Sequence, residues 1–295
     1  MEGKKLLFIV NPRAGRNKPH GPLFDALAVL SAAGYLVRIH QTTAPGDAAE
    51  TAAREGGQYD LVVAAGGDGT LNEVISGLMR LDAPPPLGYL PQGTTNDFAS
   101  CLKISHDPVE AARAIVLDRV RELDVGTWNR RSFVYVASFG AFTRSSYAAS
   151  QAAKNALGHF AYILEGMKDL NTLRPYHIRL TADGEELEGD YLFGAVCNST
   201  SIGGLMKLDP ERVVLDDGKF EMLLVRSPRT AADLQSLVLA VLNQQYDSPG
   251  LVFRHVSALR LETEETLPWS LDGEFAPSEP VVEIRNRQRA LRMLL

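Results

Sequence analysis

Cysteine is scarce in this sequence, and no hydrophobic run is long enough to cross a membrane. The 295 residues include only Cys101 and Cys197, which lie far apart and outside any CxxC or Cys/His cluster. This distribution argues against a disulfide scaffold and a structural zinc site, and it is typical of proteins in a reducing compartment. The apolar stretch from Leu237 to Leu242 is far shorter than the roughly 20 residues of a transmembrane helix. We therefore expect a cytoplasmic protein.

An excess of positive charge is also absent. The chain has 30 lysine and arginine residues against 36 acidic residues, and the formal net charge of −6 argues against general nucleic-acid binding. Hydrophobic residues make up 45% of the chain and charged residues 22%, which is typical of a soluble globular protein. The net charge does not exclude a local basic face, so contact with a membrane surface stays open.

The first 120 residues alternate between strand and helix patterns. The runs "KLLFIV", "YDLVVAAGG" and "PLGYLP" are continuously apolar, as strands covered on both faces are. Helical periodicity follows each of the first strands and stops at glycine, for example at Gly34 and Gly56. This alternation predicts an α/β nucleotide-binding domain with a mostly parallel, doubly wound sheet.

From about Arg121 the pattern changes to strands that alternate apolar and polar residues between turn signals. It predicts a β-rich domain, a sandwich or a barrel, interrupted by helical inserts near residues 150–170 and 230–245. We therefore predict an N-terminal domain at residues 1–123 and a C-terminal domain at residues 124–295. The last strand could return to either domain.

The turn "GGDG", residues 66–69, separates a buried strand from a helix. Glycines at such a place can serve the turn alone. They also bare the backbone N–H groups, and the following helix N-terminus favours an anion. Asp68 would repel a phosphate, so its presence makes sense chiefly if a divalent cation lies between the two.

Two further turns follow strands of the same predicted sheet, "NPRAG" (residues 11–15) and "PQGTTNDF" (residues 91–98). Ligands of open α/β sheets bind at the carboxyl edge, where all three turns lie, so together they favour a nucleotide site. The sequence lacks GxGxxG, GxxxxGK[ST] and the motif set of protein kinases. The turns must therefore belong to another class of phosphate-handling protein.

These motifs resemble the catalytic domain of the family of diacylglycerol kinases, sphingosine kinases and bacterial lipid kinases. "NPRAG", "GGDGTLNEV" and "PQGTTNDF" match its nucleotide motifs in order and spacing, and "LDDGKFEMLLV" and "SLDGEF" match two C-terminal signatures. The likeness covers nearly the whole chain and is closest to soluble bacterial diacylglycerol kinases. It implies an ATP- and Mg²⁺-dependent lipid kinase acting at a membrane surface, with diacylglycerol as the expected substrate.

The resemblance also implies which residues contact ATP. They are Asn11, Pro12, Arg13, Ala14, Gly15, Thr42, Gly66, Gly67, Asp68, Gly69, Thr70, Leu71, Asn72 and Thr94. Asp68 is implied as the acid that organises the catalytic magnesium and the phosphates. Asp124 of "RELDVG" is implied as a carboxylate coupled to that site across the domain boundary.

"SLDGEF" has two interpretations. An Asp-Gly pair between strand residues is a standard hairpin signal, and "TADGEEL" at residues 181–187 is interpreted as only such a turn. An alcohol that attacks a γ-phosphate must lose a proton, which a placed carboxylate can accept. The sequence alone does not choose between Asp272 and Glu274. The resemblance assigns Glu274 as the proton acceptor, with Asp272 near the metal.

"LDDGKF", residues 215–220, resembles the structural magnesium site of the family. The resemblance implies a side-chain ligand from Asp217 and backbone carbonyl ligands from Val214 and Lys219. An Asp-Gly turn that merely joins two strands is an equally good interpretation. A magnesium ion here would stiffen the domain and would keep several waters.

The lipid-binding surface is less defined. Residues 150–170 form an apolar helical stripe that is either core-facing or borders a lipid entrance. Residues 144–179 carry five lysine or arginine residues, Lys154 and Lys168 among them, against two acids, which could attract anionic lipid. An NAD kinase and a nucleotide-binding regulator without turnover remain rival functions. The identity of the lipid and the formation of a homodimer stay open.

Overall fold

The computed structural model divides into two compact units. The first comprises Met1–Leu123 and Arg289–Leu295, and the second comprises Asp124–Gln288. The structure describes residues 3–14, 21–94, 96–140, 174–202 and 206–295. The predicted helical insert near residues 150–170, with Lys154 and Lys168, lies outside the described residues, and so does Gly15.

The first unit is built on a parallel sheet. Its strands are ordered β4-β3-β1-β2, and each adjacent pair is parallel. All six residues of β3 are buried, because helices cover both faces of the central strands. The predicted parallel α/β domain is confirmed. Its elements are β1 Lys4–Val10, α1 Gly21–Ala32, β2 Tyr35–Gln41, α2 Asp47–Glu55, β3 Leu61–Gly66, α3 Asp68–Leu78, β4 Leu87–Pro91, α4 Asp97–Leu102 and α5 Pro108–Val116.

The second unit is β-rich and antiparallel, as predicted. Strands β16-β15-β7-β9-β8-β14-β17 follow one another, and β12 and β13 continue from β9. Trp269 lies at the centre of its core, with ring centroids 5.9 Å from Trp128 and 4.9 Å from Phe139. Its elements are β5 Val120–Trp128, β6 Arg131–Phe133, β7 Val136–Gly140, β8 Tyr176–Ala182, β9 Glu185–Cys197, β10 Ser201–Ile202, β11 Met206–Lys207, β12 Phe220–Arg226, α6 Ala231–Leu242, β13 Leu251–Val256, β14 Ala258–Glu262, β15 Trp269–Leu271, β16 Glu274–Ala276 and β17 Val281–Leu294.

The last strand contributes residues to both units. Ile284 of β17 is paired with Leu259 of β14, and Met293 is paired with Leu87 of β4. The sequence left this destination open, because an apolar strand can satisfy either sheet. The second predicted helical insert is α6, where Thr230 and Asp233 form a capping box. None of the described helices is long and apolar enough to span a membrane.

Candidate active site

The loop after β3 and the loop after β4 contact each other backbone to backbone. A Cβ added to Gly93 would lie 2.8 Å from the Cα of Gly67, and one added to Gly66 would lie 2.5 Å from the Cβ of Thr70. Real Cβ atoms do not approach other atoms so closely, so these glycines are required by packing whether or not a ligand binds. The absence of side chains on these glycines therefore lets the backbones of the two loops meet at the carboxyl edge of the sheet.

Asn96 ties the two loops together. It is buried in the left-handed conformation (φ 50°), where its Oδ1 accepts a hydrogen bond from the N–H of Gly93 (2.9 Å) and its Nδ2 donates to the carbonyl of Gly93 (3.0 Å). The Tyr89 hydroxyl donates to the carbonyl of Gly66 (3.2 Å), which also accepts the N–H of Gln92 (2.7 Å). Asn96 and Tyr89 thus fix the position of the glycine backbones.

Asp68 receives the first N–H groups of the short helix α4. Its Oδ2 accepts from the N–H of Asp97 (3.0 Å), and its Oδ1 accepts from that of Phe98 (3.4 Å). Burial raises the pKa of Asp68 in spite of these hydrogen bonds. Burial, and then the charge of Asp68, raise the pKa of Asp97 to about 6. Two partly desolvated carboxylates that repel each other are an oxygen donor set that suits Mg²⁺.

The turn after β1 approaches the same edge through Asn11. Its Nδ2 donates to the hydroxyl of Thr70 (3.0 Å), and its Oδ1 accepts the N–H of Arg13 (2.9 Å). Thr42, after β2, donates its N–H to the carbonyl of Val10 (2.9 Å). Leu71 is buried and donates its N–H to Gly67 within α3. The structure thus brings Asn11 to Thr70 at the carboxyl edge, while Leu71 packs the helix.

In the second unit, Glu274 follows a two-residue turn between β15 and β16. Asp272 (φ 49°) and Gly273 (φ 86°) form the turn, and Leu271 is paired with Glu274. The side chain of Glu274 is exposed. The carboxylate of Asp272 is buried and accepts the N–H groups of the segment 134–136, at 2.7 Å from Val134, 3.0 Å from Tyr135 and 2.9 Å from Val136. Both its oxygens are engaged, and the expected proximity of Asp272 to a metal stays a prediction.

Asp124 lies against the "LDDGKF" segment. It is fully buried, and its Oδ2 accepts the N–H of Gly218 (2.7 Å) and the Nδ2 of Asn286 (3.0 Å). Its own N–H donates to the carbonyl of Leu215 (2.8 Å). These partners belong to the second unit. The expected coupling of Asp124 to the nucleotide site stays a prediction, whereas its link to the predicted magnesium segment is direct.

The segment 214–219 has the chemistry of a magnesium site without a preformed cluster of side chains. Glu221 is 1% exposed, and burial, followed by the charges of Asp217 and Asp124, raises its pKa to about 8. Its Oε2 has no hydrogen-bond partner among the described residues. Within the described ranges no three acidic, histidine or cysteine side chains converge as a metal site. A site with one carboxylate and two carbonyls does not need such convergence, and a cation would offset the charges of Asp217 and Asp124.

The segment is also not a simple hairpin. β12 begins at Phe220, but no described strand ends directly before Val214, and Gly218 alone has a positive φ of 83°. The Oδ1 of Asp217 accepts the N–H of Lys219 (2.9 Å). This geometry disfavours the interpretation of "DDGK" as a turn that joins two adjacent strands.

Two family models and several named relatives match nearly the whole chain. The model described as the diacylglycerol kinase catalytic domain matches residues 5–128, and that described as the YegS C-terminal NAD kinase beta sandwich-like domain matches residues 136–295. The diacylglycerol kinase of Bacillus subtilis (strain 168) is 34% identical over 94% of this chain and 92% of its own length. That of Staphylococcus aureus (strain MRSA252) is 33% identical over 94% of this chain and 88% of its own.

This chain belongs to the diacylglycerol kinase family.

A crystal structure from Bacillus anthracis str. Sterne has the same fold, with a TM-score of 0.80 and 26% identity over 100% of this chain and 98% of that chain. As a member of the family, the chain is a lipid kinase, and the resemblance found in its motifs is confirmed. The glycine loops and Asp68 lie in the part matched by the catalytic model, and Asp217 and Glu274 lie in the part matched by the second model.

Three polar residues of this kinase were not singled out by sequence reasoning. Asn96 and Asp97 stand inside "GTTNDF", from which only Thr94 was chosen, and Glu221 stands two positions after Lys219. The motif itself offers a signal for Asp97: an acid that follows a candidate phosphate-binding turn suggests a bound cation, as the acid Asp68 in "GGDG" does. Asn96 directly precedes it in the same motif. No local signal marks Glu221, since an acid in an alternating strand is ordinarily exposed.

Proposed function

We propose that this lipid kinase transfers the γ-phosphoryl group of Mg·ATP to the hydroxyl of diacylglycerol, which yields phosphatidic acid and ADP. The observation that carries the proposal is the backbone contact between Gly67 and Gly93 with Asp68 and Asp97 beside it. A glycine turn that leads into a helix N-terminus suits phosphates, and paired carboxylates suit the metal that accompanies them. The relatives named diacylglycerol kinase support the choice of lipid.

Each group has a role that follows from its surroundings. Asp68 and Asp97 would hold the magnesium, which offsets the charge of the phosphates. The loop amides bind and orient the phosphates, so that little reorganisation is needed in the transition state. Glu274, exposed on a short turn, accepts the proton of the attacking hydroxyl. Asp217, with the carbonyls of Val214 and Lys219, would hold a second magnesium that stiffens the segment bearing Gly218, which donates to Asp124.

The test is phosphoryl transfer from labelled ATP in mixed micelles that contain diacylglycerol, phosphatidylglycerol, a sphingoid base or no lipid, with NAD as a soluble acceptor. Labelled phosphatidic acid is the expected product. The change Glu274→Gln should lower kcat by about 10²- to 10⁴-fold while ATP still binds. Glu185→Gln is the matched control, because Glu185 follows the equivalent Asp-Gly turn of another hairpin.

The other acceptors decide between the rivals. Labelled NADP with no labelled lipid would replace the proposal by an NAD kinase. ATP binding without any labelled product would favour the regulator. If only another lipid is labelled, the protein is still a lipid kinase, but diacylglycerol is not its substrate. Peripheral membrane contact is part of the proposal, and sedimentation with diacylglycerol-containing vesicles tests it.

A further inference from the structure

Two Asp-Gly turns in the second unit have the same local geometry. Asp183 and Gly184 have φ of 46° and 90°, and Asp272 and Gly273 have φ of 49° and 86°. Each pair joins two antiparallel strands, with Ala182 paired with Glu185 in one hairpin and Leu271 paired with Glu274 in the other. In both, a glutamate follows the glycine. The two turns are therefore close structural counterparts with different surroundings.

In both turns the aspartate carboxylate binds the backbone of a neighbouring segment. Asp183 accepts the N–H of Ser257 (2.8 Å) and that of Ala258 (2.9 Å) at an exposed position. Asp272 is 4% exposed and accepts three consecutive N–H groups, those of Val134, Tyr135 and Val136. Its own N–H donates to the carbonyl of Val136 (2.8 Å). At least four hydrogen bonds among the described residues thus fasten the turn before Glu274 to the segment at the start of β7.

We propose that Asp272 is a positioning residue, which holds the hairpin that carries Glu274 against the segment 134–136 and does not bind the metal. The inference rests on the proposed role of Glu274 as the proton acceptor. Asp272 accepts three backbone N–H groups of one segment at 2.7, 3.0 and 2.9 Å, and charge-assisted bonds of this kind are strong and directional. Asp68 differs, because one of the two hydrogen bonds described for it above is 3.4 Å long and the charge of Asp68 raises the pKa of a second carboxyl group, that of Asp97. Without the carboxylate, three buried N–H groups lose their acceptor, and the turn loses its anchor. A base displaced by about 1 Å can lose about 100-fold in rate.

The experiment compares Asp272→Asn with Asp183→Asn in the full-length kinase. Both substitutions place an amide nitrogen where a carboxylate oxygen accepts backbone N–H groups, so both should weaken a turn. Asp272→Asn should lower kcat about 10- to 100-fold, with the KM for ATP and the Mg²⁺ concentration for half-maximal rate within twofold of wild type. Asp183→Asn should leave kcat within twofold. Asp272→Ser, which keeps one acceptor oxygen, serves if the asparagine variant does not fold.

A rise of tenfold or more in the Mg²⁺ requirement of Asp272→Asn would overturn the proposal in favour of a metal-binding role. An unchanged kcat in a folded Asp272→Asn or Asp272→Ser variant would overturn the positioning role as well. Amide hydrogen exchange supplies a readout that is independent of activity: exchange should rise in segments 134–136 and 274–276 for Asp272→Asn alone. If wild-type protein makes no phosphorylated lipid, the proposed function fails, and unchanged exchange would separately refute the anchoring of the hairpin.

Discussion

The glycines of the loops after β3 and β4 and those of the two Asp-Gly hairpins are required for different physical reasons. Gly66 and Gly93 have neighbours where a Cβ would lie, the nearest atoms being 2.5 Å and 2.6 Å away. Gly184 has nothing within 4 Å of that position, but its φ of 90° is one that side chains rarely adopt. A glycine of the first kind holds two loops together, whereas one of the second kind only turns the chain. Glycines that look alike in the sequence therefore have different structural roles.

The largest expected effect is at the loop contact. Gly93→Ala would place a Cβ 2.6 Å from the Oδ1 of Asn96 and 2.8 Å from the Cα of Gly67, so the two loops must separate. We expect a loss of about 100-fold or more in kcat/KM for ATP, and a loss of about 1–3 kcal/mol in the free energy of unfolding. Steady-state kinetics and urea denaturation measure both quantities. Gly57→Ala, where the nearest atom is 3.8 Å away, is the control. Full activity in Gly93→Ala would show that the contact is not needed.

The second prediction concerns the acids beside this contact. The raised pKa of Asp97, about 6, means that folding favours its neutral form, so this contribution to stability is complete below about pH 4 and lost as the pH rises through 6. Asp97→Asn should therefore be more stable than wild type above pH 6, by at most about 3 kcal/mol, and catalytically impaired. Urea denaturation from pH 4 to 8 in the presence of a chelator tests it, with the exposed Asp82→Asn as control. A pH-independent difference would contradict the assignment.

The third prediction concerns the Asp-Gly pair at residues 217–218, where Gly218 also has a positive φ (83°) but the pair does not join two paired strands. If Asp217 binds magnesium, a concentration 100-fold above the dissociation constant should stabilise the wild type by about 2.7 kcal/mol. Asp217→Asn should lose this contribution and keep only the response of the site at Asp68 and Asp97, whereas Asp216→Asn should keep the full response. Thermal unfolding with and without Mg²⁺ is the measurement. The reverse outcome would show that the neighbouring aspartate is the ligand.

The smallest effect is expected at the two hairpin glycines. Gly184→Ala and Gly273→Ala should each cost about 1 kcal/mol, because an L-residue is strained at positive φ. Around Gly273 the nearest atom to an added Cβ is the Tyr135 hydroxyl at 3.7 Å, so crowding adds little. Only Gly273→Ala should also lower kcat, since Glu274 follows it. Equal kcat values for the two variants would remove the distinction between the hairpins.

Local sequence patterns predict the loops and many of the acids of the candidate site, but they do not predict which residues those acids contact. The apolar run of β3 and the glycines after it predict a turn at the carboxyl edge of a parallel sheet, because burial and backbone conformation are local properties. The hydrogen bonds of Asp272 do not follow from a local pattern, because their donors at 134–136 stand 136 to 138 positions earlier in the chain. Glu221 was missed because its burial depends on which strands flank β12.

The sequence by itself determined the two kinds of domain, the places where loops need glycine, and the family. Hydrophobic periodicity and the conformational freedom of glycine suffice for these features, because each is expressed over a few consecutive residues. Only the tertiary structure decided which atoms each acid meets: Asp68 the start of α4, Asp124 the segment before β12, and Asp272 the start of β7. Those contacts depend on strand order and register across the sheets, which no short window of sequence encodes.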